Sequence, residues 1–308
     1  MKSEIHKDAT DFDENFEKNS NIKVGFHLET ILENKKSELS DTLKNKLIEY
    51  LALFDEGLKL VGQIQELCES NYLQNKKGMT FFILSSKIFS NLLGIRNTLY
   101  SGLSDCTKIL NRPLIESIDI FFACLINKEL SDKFSNNNEL YDSNEFYWKN
   151  FSKNKLSKEY NKLFEKLDIN KNYIKFLNDR RKNQKSYLSE SIHSSFTASF
   201  ANYVMPNINL EFENDQFGKI TTGYPKSLMN LIEDIYIFSY LFDLTLKNNI
   251  CSDFNKLKVE HIKIDYAHYQ EKYLFLYGKY HESLSKKTDE YINFFKEAKE
   301  ILNKKNDA

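Results

Sequence analysis

Nine glycines and three prolines in 308 residues leave the chain few points at which to turn sharply. That scarcity excludes collagen-like and Pro/Gly-rich disordered architectures and argues against a protein made of many short strands. Four cysteines (Cys68, Cys106, Cys124 and Cys251) stand far apart, with no CxxC pair and no Cys/His group at zinc spacing, so neither a disulfide framework nor a structural zinc is expected. Long apolar runs are absent too. IDIFFACLI from Ile118 and IYIFSYLF from Ile235 are the most apolar stretches, and both fall well short of the roughly 20 residues that cross a bilayer. No charge sign is in excess, since 43 basic and 44 acidic residues give a formal charge of -1. A site for nucleic acid or an anionic surface would therefore have to be local. Arginine is scarce: Arg96, Arg112, Arg180 and Arg181 are the only four, in a chain whose Lys, Asn, Ile, Phe and Tyr suggest an AT-rich coding bias. The first residues, MKSEIHKDATDFDENFEK, are acidic and polar where a signal peptide needs an apolar run, so a cytoplasmic location with reduced thiols is the expectation.

What the chain does contain is helical periodicity. Hydrophobic residues are 41% and charged residues 28%, the balance of a folding chain. Residues 1–36 offer few apolar anchors and read as a poorly ordered arm, with at most a short helix near Phe26 to Leu32. From Ser40, a candidate N-cap, Leu43, Leu47, Tyr50, Leu51, Phe54, Leu58, Val61 and Ile64 step by three and four and predict one long helix. Gly78 opens a second, running to about Leu110 and carrying a stripe of small residues (Ser86, Ser90, Gly94, Asn97, Ser101) that suits close helix packing. Pro113 then fits the first turn of a third helix, LNRPLIESIDIFFACL, antiparallel to the second. A loop is expected over 131–143, short helices near 145–151 and 156–167, and a longer one from about Asn172 to Leu188. Near Pro206 the period lapses, and 207–222 is the one segment read as a small β-hairpin. Helix returns at Ser227 to Leu246. A final helix from about Asp265 to Asn303 repeats Tyr273, Tyr277, Tyr280, Leu284, Tyr291, Phe295, Ala298 and Leu302 at near-heptad spacing.

Two segments carry candidate chemistry. Arg112 and Glu116 lie one helical turn apart, with Asp119 on the same side of a helix that is otherwise apolar. The plain alternative is an i,i+4 surface ion pair. The run RRKNQKSYLSESIHSSF from Arg180 gathers Arg180, Arg181, Lys182 and Lys185, which suit a phosphate or nucleic-acid backbone, and His193, which suits proton transfer near neutral pH. Its alternative is a solvated basic helix. Glu190 and His193 also form a Glu-x-x-His pair of the kind used by helical metal-carboxylate proteins, but the second pair is missing, Asp265-x-x-His268 being a loose substitute, so no metal site is assigned. His261, His268 and His281 read as structural or exposed. There is no Gly-rich phosphate loop, nucleophile elbow or HExxH motif, and no cofactor is expected.

NRPLIESIDIFFACLINKEL (Asn111 to Leu130), followed downstream by YLSESIHSSF (Tyr187 to Phe196), resembles bacterial all-α proteins akin to the HEPN-like and abortive-infection group over about residues 80–245. The resemblance implies a helical bundle working in phage defence or stress, as a toxin or effector that binds or cuts RNA or a nucleotide phosphate. It also implies an operon partner protein. By matching positions it offers Arg112, Glu116 and His193 as catalytic candidates. Ribonucleases of that group place an arginine a few residues before the histidine, whereas Arg181 stands twelve residues before His193, so whether this chain is an enzyme stays open.

The sequence thus predicts an all-α bundle of long antiparallel helices. An arm at 1–36 is followed by a main bundle at 37–250, and by a long C-terminal helix at 251–308 that packs on the body or at a homodimer interface. The rival to the defence reading is a non-catalytic protein–protein interaction module assembling through that terminal helix. A metal-carboxylate protein is the third reading.

Overall fold

The computed structural model describes residues 4–20, 28–75, 78–136, 143–152, 155–192, 207–209, 218–250, 254 and 260–306. Among these, eleven helices account for almost all of the regular structure: α1 Glu4–Ser20, α2 Leu28–Lys46, α3 Ile48–Asn75, α4 Met79–Tyr100, α5 Ser104–Ile126, α6 Lys128–Ser135, α7 Ser143–Phe151, α8 Lys155–Lys166, α9 Lys171–Ile192, α10 Tyr224–Lys247 and α11 Glu260–Asn306. The fold is the all-α bundle that the three-and-four apolar spacing predicts. One antiparallel bridge pairs Asn207 with Thr221, reinforced by the Ile208 N–H donating to the Ile220 carbonyl at 2.7 Å. It lies within the segment read as a hairpin, whose residues 210–217 fall outside the described ones.

Four long antiparallel pairs form the body. α4 and α5 make the most extensive contact, with the Thr98 and Thr107 hydroxyls 2.9 Å apart near their turn. α3 runs against α4, where the Arg96 guanidinium grips the Asp55 carboxylate at 2.8 and 3.0 Å. α11 lies along both α3 and α10: the Tyr50 hydroxyl donates to the Leu284 carbonyl at 2.8 Å, and the Tyr273 hydroxyl to that of Ile232 at 2.9 Å. The terminal helix therefore packs along the body through Ile262, Tyr266, Tyr273 and Leu284, while Tyr280 of the expected seam is exposed. At the centre, Phe121 meets Phe122 and Phe238 edge-on at 5.6 and 5.4 Å, and Phe122 meets Phe238 at 5.7 Å. Edge-to-face rings of this kind stabilise beyond their buried area by about 0.5–1.5 kcal/mol per pair. No helix among the described residues is long and apolar enough to cross a membrane.

Several boundaries differ from those read in the sequence, each for a local reason. Backbone is helical over 4–20 and 28–46, so helix runs through Ser40 rather than starting there. The long helix expected from Ser40 bends at Leu47, although Leu47 N–H to Leu43 and Leu51 N–H to Leu47 bonds carry the ladder across the bend. Helix α6 continues to Ser135, inside the stretch expected to be loop. The second helix ends at Tyr100, not Leu110, because the chain turns at Gly102 (φ 68°). Pro113 consequently sits inside α5, not in its first turn. The Ser117 hydroxyl donates to the Pro113 carbonyl at 2.7 Å. Of the small-residue stripe, Gly94 faces α5, where a methyl group would lie 3.2 Å from Leu110, whereas Ser90, Asn97 and Ser101 are exposed.

The Gly102 turn is fixed by a distant glycine. Gly218 has φ 110°, and a Cβ there would stand 2.4 Å from the Ser101 carbonyl oxygen, while Lys219 N–H donates to the Gly102 carbonyl at 3.2 Å. Backbone meets backbone at this point, so nothing can yield. We predict that Gly218→Ala loses at least the upper part of the about 1–3 kcal/mol that a strained residue costs. Chemical denaturation reads this as a lower midpoint with an unchanged slope; an unchanged midpoint refutes it.

Candidate functional site

Helix α9 carries cations on two adjacent faces. Arg181, Lys185 and Ser189 follow at intervals of four and face α5, whereas Arg180 and Gln184 face α10. The faces meet at two buried carboxylates. Asp119 of α5 accepts from Lys185 Nζ at 2.6 Å and pairs with Arg181 Nε at 3.2 Å. Asp234 of α10, whose side chain is 0% exposed, pairs with Arg180 at 2.6 Å and Arg181 at 3.4 Å, and also accepts from the Gln184 amide. The Arg180 guanidinium further binds Glu233 at 3.0 Å and the Asn230 carbonyl at 3.0 Å. Glu233 in turn lies 3.4 Å from the His281 ring, which leans on Tyr277 at 4.6 Å.

Arg112 completes the network. It donates to Glu116 at 2.8 Å, as the i,i+4 spacing predicts, and crosses to α9 by donating to the Lys185 carbonyl at 2.7 Å and the Ser189 hydroxyl at 3.2 Å. This pair is half-buried between two helices, not an isolated surface pair. Four cations (Arg112, Arg180, Arg181, Lys185) thus meet four carboxylates (Glu116, Asp119, Glu233, Asp234). Charge balance is what permits burial, because an isolated ion there would be too costly. Burial works to lower the Arg180 and Arg181 pKa values, but Asp234 with Glu233 for the first, and Asp119 with Asp234 for the second, outweigh it and raise both. These guanidinium groups stay charged.

On the outer side of this network lies a cleft of about 860 Å³ bounded by α5, α7, α8 and α9. Its size is that of small-ligand sites. Arg112, Glu116, Asp119, Arg181 and Lys185 form its inner wall, and Tyr147, Trp148, Lys158, Tyr160, Lys182 and the exposed Asp179 carboxylate stand among the residues around them. Trp148, the only tryptophan of the chain, is 65% exposed there. Tyr160 is buried beside Arg181 and Asp119, and burial pushes its pKa up against the lowering effect of the Arg181 guanidinium. The hydroxyl therefore stays un-ionised. Tyr147 is half-buried near Glu116, and burial together with that carboxylate raises its pKa as well.

Of the residues singled out in the sequence, the structure brings Arg112, Glu116, Arg181, Lys182 and Lys185 to this one cleft, and turns Arg180 to the opposite face of α9. His193 and the Glu190 side chain lie outside the described residues. Asp265 and His268 are both exposed, and among the described residues no group of three or more His, Cys, Asp or Glu side chains could hold a metal ion. His261 is exposed, and burial pushes the Cys124 thiol up to about 12. The sequence reading missed Asp234 and Glu233. Their signal was two adjacent acids inside an otherwise apolar helix, IYIFSYLF being the next two turns. It also missed Trp148, Lys158 and Tyr160, which become neighbours of α9 only once α7 and α8 are placed. No protein-family model, curated protein or solved structure matches the chain.

Proposed function

We propose that this chain is a binding protein for nucleotides or short single-stranded RNA, held in the cleft between α5, α7, α8 and α9. The observation that carries the reading is the meeting of an exposed stacking ring, Trp148, with lysines that have no carboxylate partner among the described residues, Lys158 and Lys182, in one cleft. Bases stack on aromatic faces for about 1–3 kcal/mol each, and phosphates follow cations, so ring and lysines together suit an unpaired base on a charged backbone. In this reading the arginines do not bind phosphate directly, being already neutralised; they hold α5, α9 and α10 in register and so set the shape of the wall. The resemblance to HEPN-like and abortive-infection proteins supplies a setting, defence or stress in a bacterial cytoplasm. Binding does not need His193 and commits the chain to no reaction.

The test is fluorescence anisotropy of a labelled oligouridylate and oligoadenylate with the whole protein. Saturable binding that weakens with salt supports the reading, and no change in anisotropy at high protein concentration refutes it.

The interaction-module reading has one observation behind it. Ile264 and Phe275 of α11 are 65% and 66% exposed and, eleven residues apart, share a face. Asp265, His268 and Glu271 are exposed on the same helix between them, so the apolar surface is not continuous. Sedimentation of the protein separates the two: a dimer abolished by Phe275→Glu favours assembly through α11, and a monomer disfavours it.

A further inference from the structure

On the far side of α9 from the first cleft lies a second, of about 480 Å³, between α9, the start of α10 and α11. Arg180, Tyr187, Thr222, Lys226 and Tyr291 are among its lining residues, and none of the lining residues is a carboxylate. That sets it apart from the first cleft, whose walls include Glu116, Asp119 and Asp179. Helix α10, 24 residues long, points its N-terminus here. No side chain caps that end, no acidic residue stands in its first turn, and Pro225 occupies one of its first two positions. Among the described residues no acidic side chain lines this end of the helix, so the positive end of its dipole faces the cleft without an anionic partner there. A second, independent feature points the same way. Thr222 is 2% exposed and its hydroxyl, although buried, has no hydrogen-bond partner. A buried hydroxyl left unpaired costs about 1–3 kcal/mol, which a bound acceptor would recover. Lys226, exposed in the first turn of α10, adds a mobile cation with no carboxylate partner among the described residues. Tyr187 and Tyr291 supply flat apolar walls beyond it.

We infer that this second cleft binds a small oxyanion, phosphate or carboxylate, carried on a planar body. The oxyanion accepts from the Thr222 hydroxyl and from the Lys226 N–H, since the Tyr224 N–H is taken by the Thr221 carbonyl and Pro225 has none; the Lys226 ammonium neutralises it, and the planar body lies between the tyrosines. Arg180 contributes field rather than a bond, since its guanidinium is already engaged by Glu233, Asp234, Gln184 and Asn230.

Calorimetric titration of the whole protein with phenyl phosphate, benzoate and inorganic phosphate tests this. Phenyl phosphate is expected to bind more tightly than about 1 mM, with inorganic phosphate weaker for want of the planar body. Tighter benzoate than phenyl phosphate would identify the natural group as a carboxylate. Thr222→Val, which keeps the shape and removes only the unpartnered hydroxyl, is expected to raise the melting temperature of the free protein and to weaken phenyl phosphate at least tenfold. Lys226→Ala is expected to weaken it comparably, and in the Lys158→Ala/Lys182→Ala background, which removes the cations of the first cleft, the binding that depends on Thr222 and Lys226 is expected to persist. The inference is overturned if none of the three probes binds, if Thr222→Val binds as the wild type does, or if that variant melts lower, which would show that the hydroxyl already has a partner.

Discussion

Asp234→Ala is expected to cost about 3–5 kcal/mol, the range for removing one partner of a buried ion pair. Asp234 is fully buried and is the point at which Arg180, Arg181 and Gln184 converge. Without it, Glu233 and Asp119 remain to balance the two guanidinium groups and must still serve His281 and Lys185 respectively. Natural domains are stable by only about 5–15 kcal/mol, so such a loss brings the protein close to its unfolding threshold. Asp234→Asn keeps the shape and the acceptor oxygen but not the charge, and is expected to fall between the two. Denaturant unfolding of the three proteins checks the order. If Asp234→Ala lies within about 0.5 kcal/mol of the wild type, as a surface change would, the network is not what holds α9 to α10.

The second large effect concerns binding. For single strands, each neutralised phosphate adds about 0.7 to the slope of log affinity against log salt. Losing two cations should therefore reduce that slope by about 1.4 and weaken binding about 25-fold at 0.1 M salt. Lys158→Ala/Lys182→Ala is predicted to show both changes with an unaltered melting temperature, because both side chains are exposed and carry no ion pair among the described residues. Arg112→Ala gives a contrast: it removes bonds to Glu116, Lys185 and Ser189, so its main expected consequence is lost stability. Should Arg112→Ala instead abolish binding in a fully stable protein, the guanidinium contacts the ligand and its assignment as a positioning residue is wrong.

How much of this was legible in the sequence depends on distance along the chain. Helix α9, the paired short helices α7 and α8, and the Arg112–Glu116 pair follow from local spacing and appear where that spacing puts them. The break before α5 does not. Gly102 turns the chain because Gly218, more than a hundred residues later, packs its backbone against Ser101, and no local signal at Leu110 or Pro113 reports that contact. The same holds for charge. Arg180 and Arg181 look like a phosphate-binding edge when α9 is read alone, since the carboxylates that neutralise them stand 53 and 54 residues away on α10 and, for Asp119, on α5. One general signal was available: a charged residue inside an apolar helix needs a partner, which Asp119 and Asp234 both announce. The cleft itself was not legible, because Trp148, Lys158 and Lys182 come from three helices whose relative placement no spacing fixes.

Because Trp148 is the sole tryptophan and stands in the cleft, its fluorescence reports on occupancy with no label at all. Titration with oligouridylate, oligoadenylate and mononucleotides is expected to quench the emission to saturation as a base stacks on the indole, with Lys158→Ala/Lys182→Ala shifting the curve to higher ligand concentration. Emission that does not change with any of these ligands, while the protein stays folded, would contradict the placement of a base-bearing ligand in this cleft.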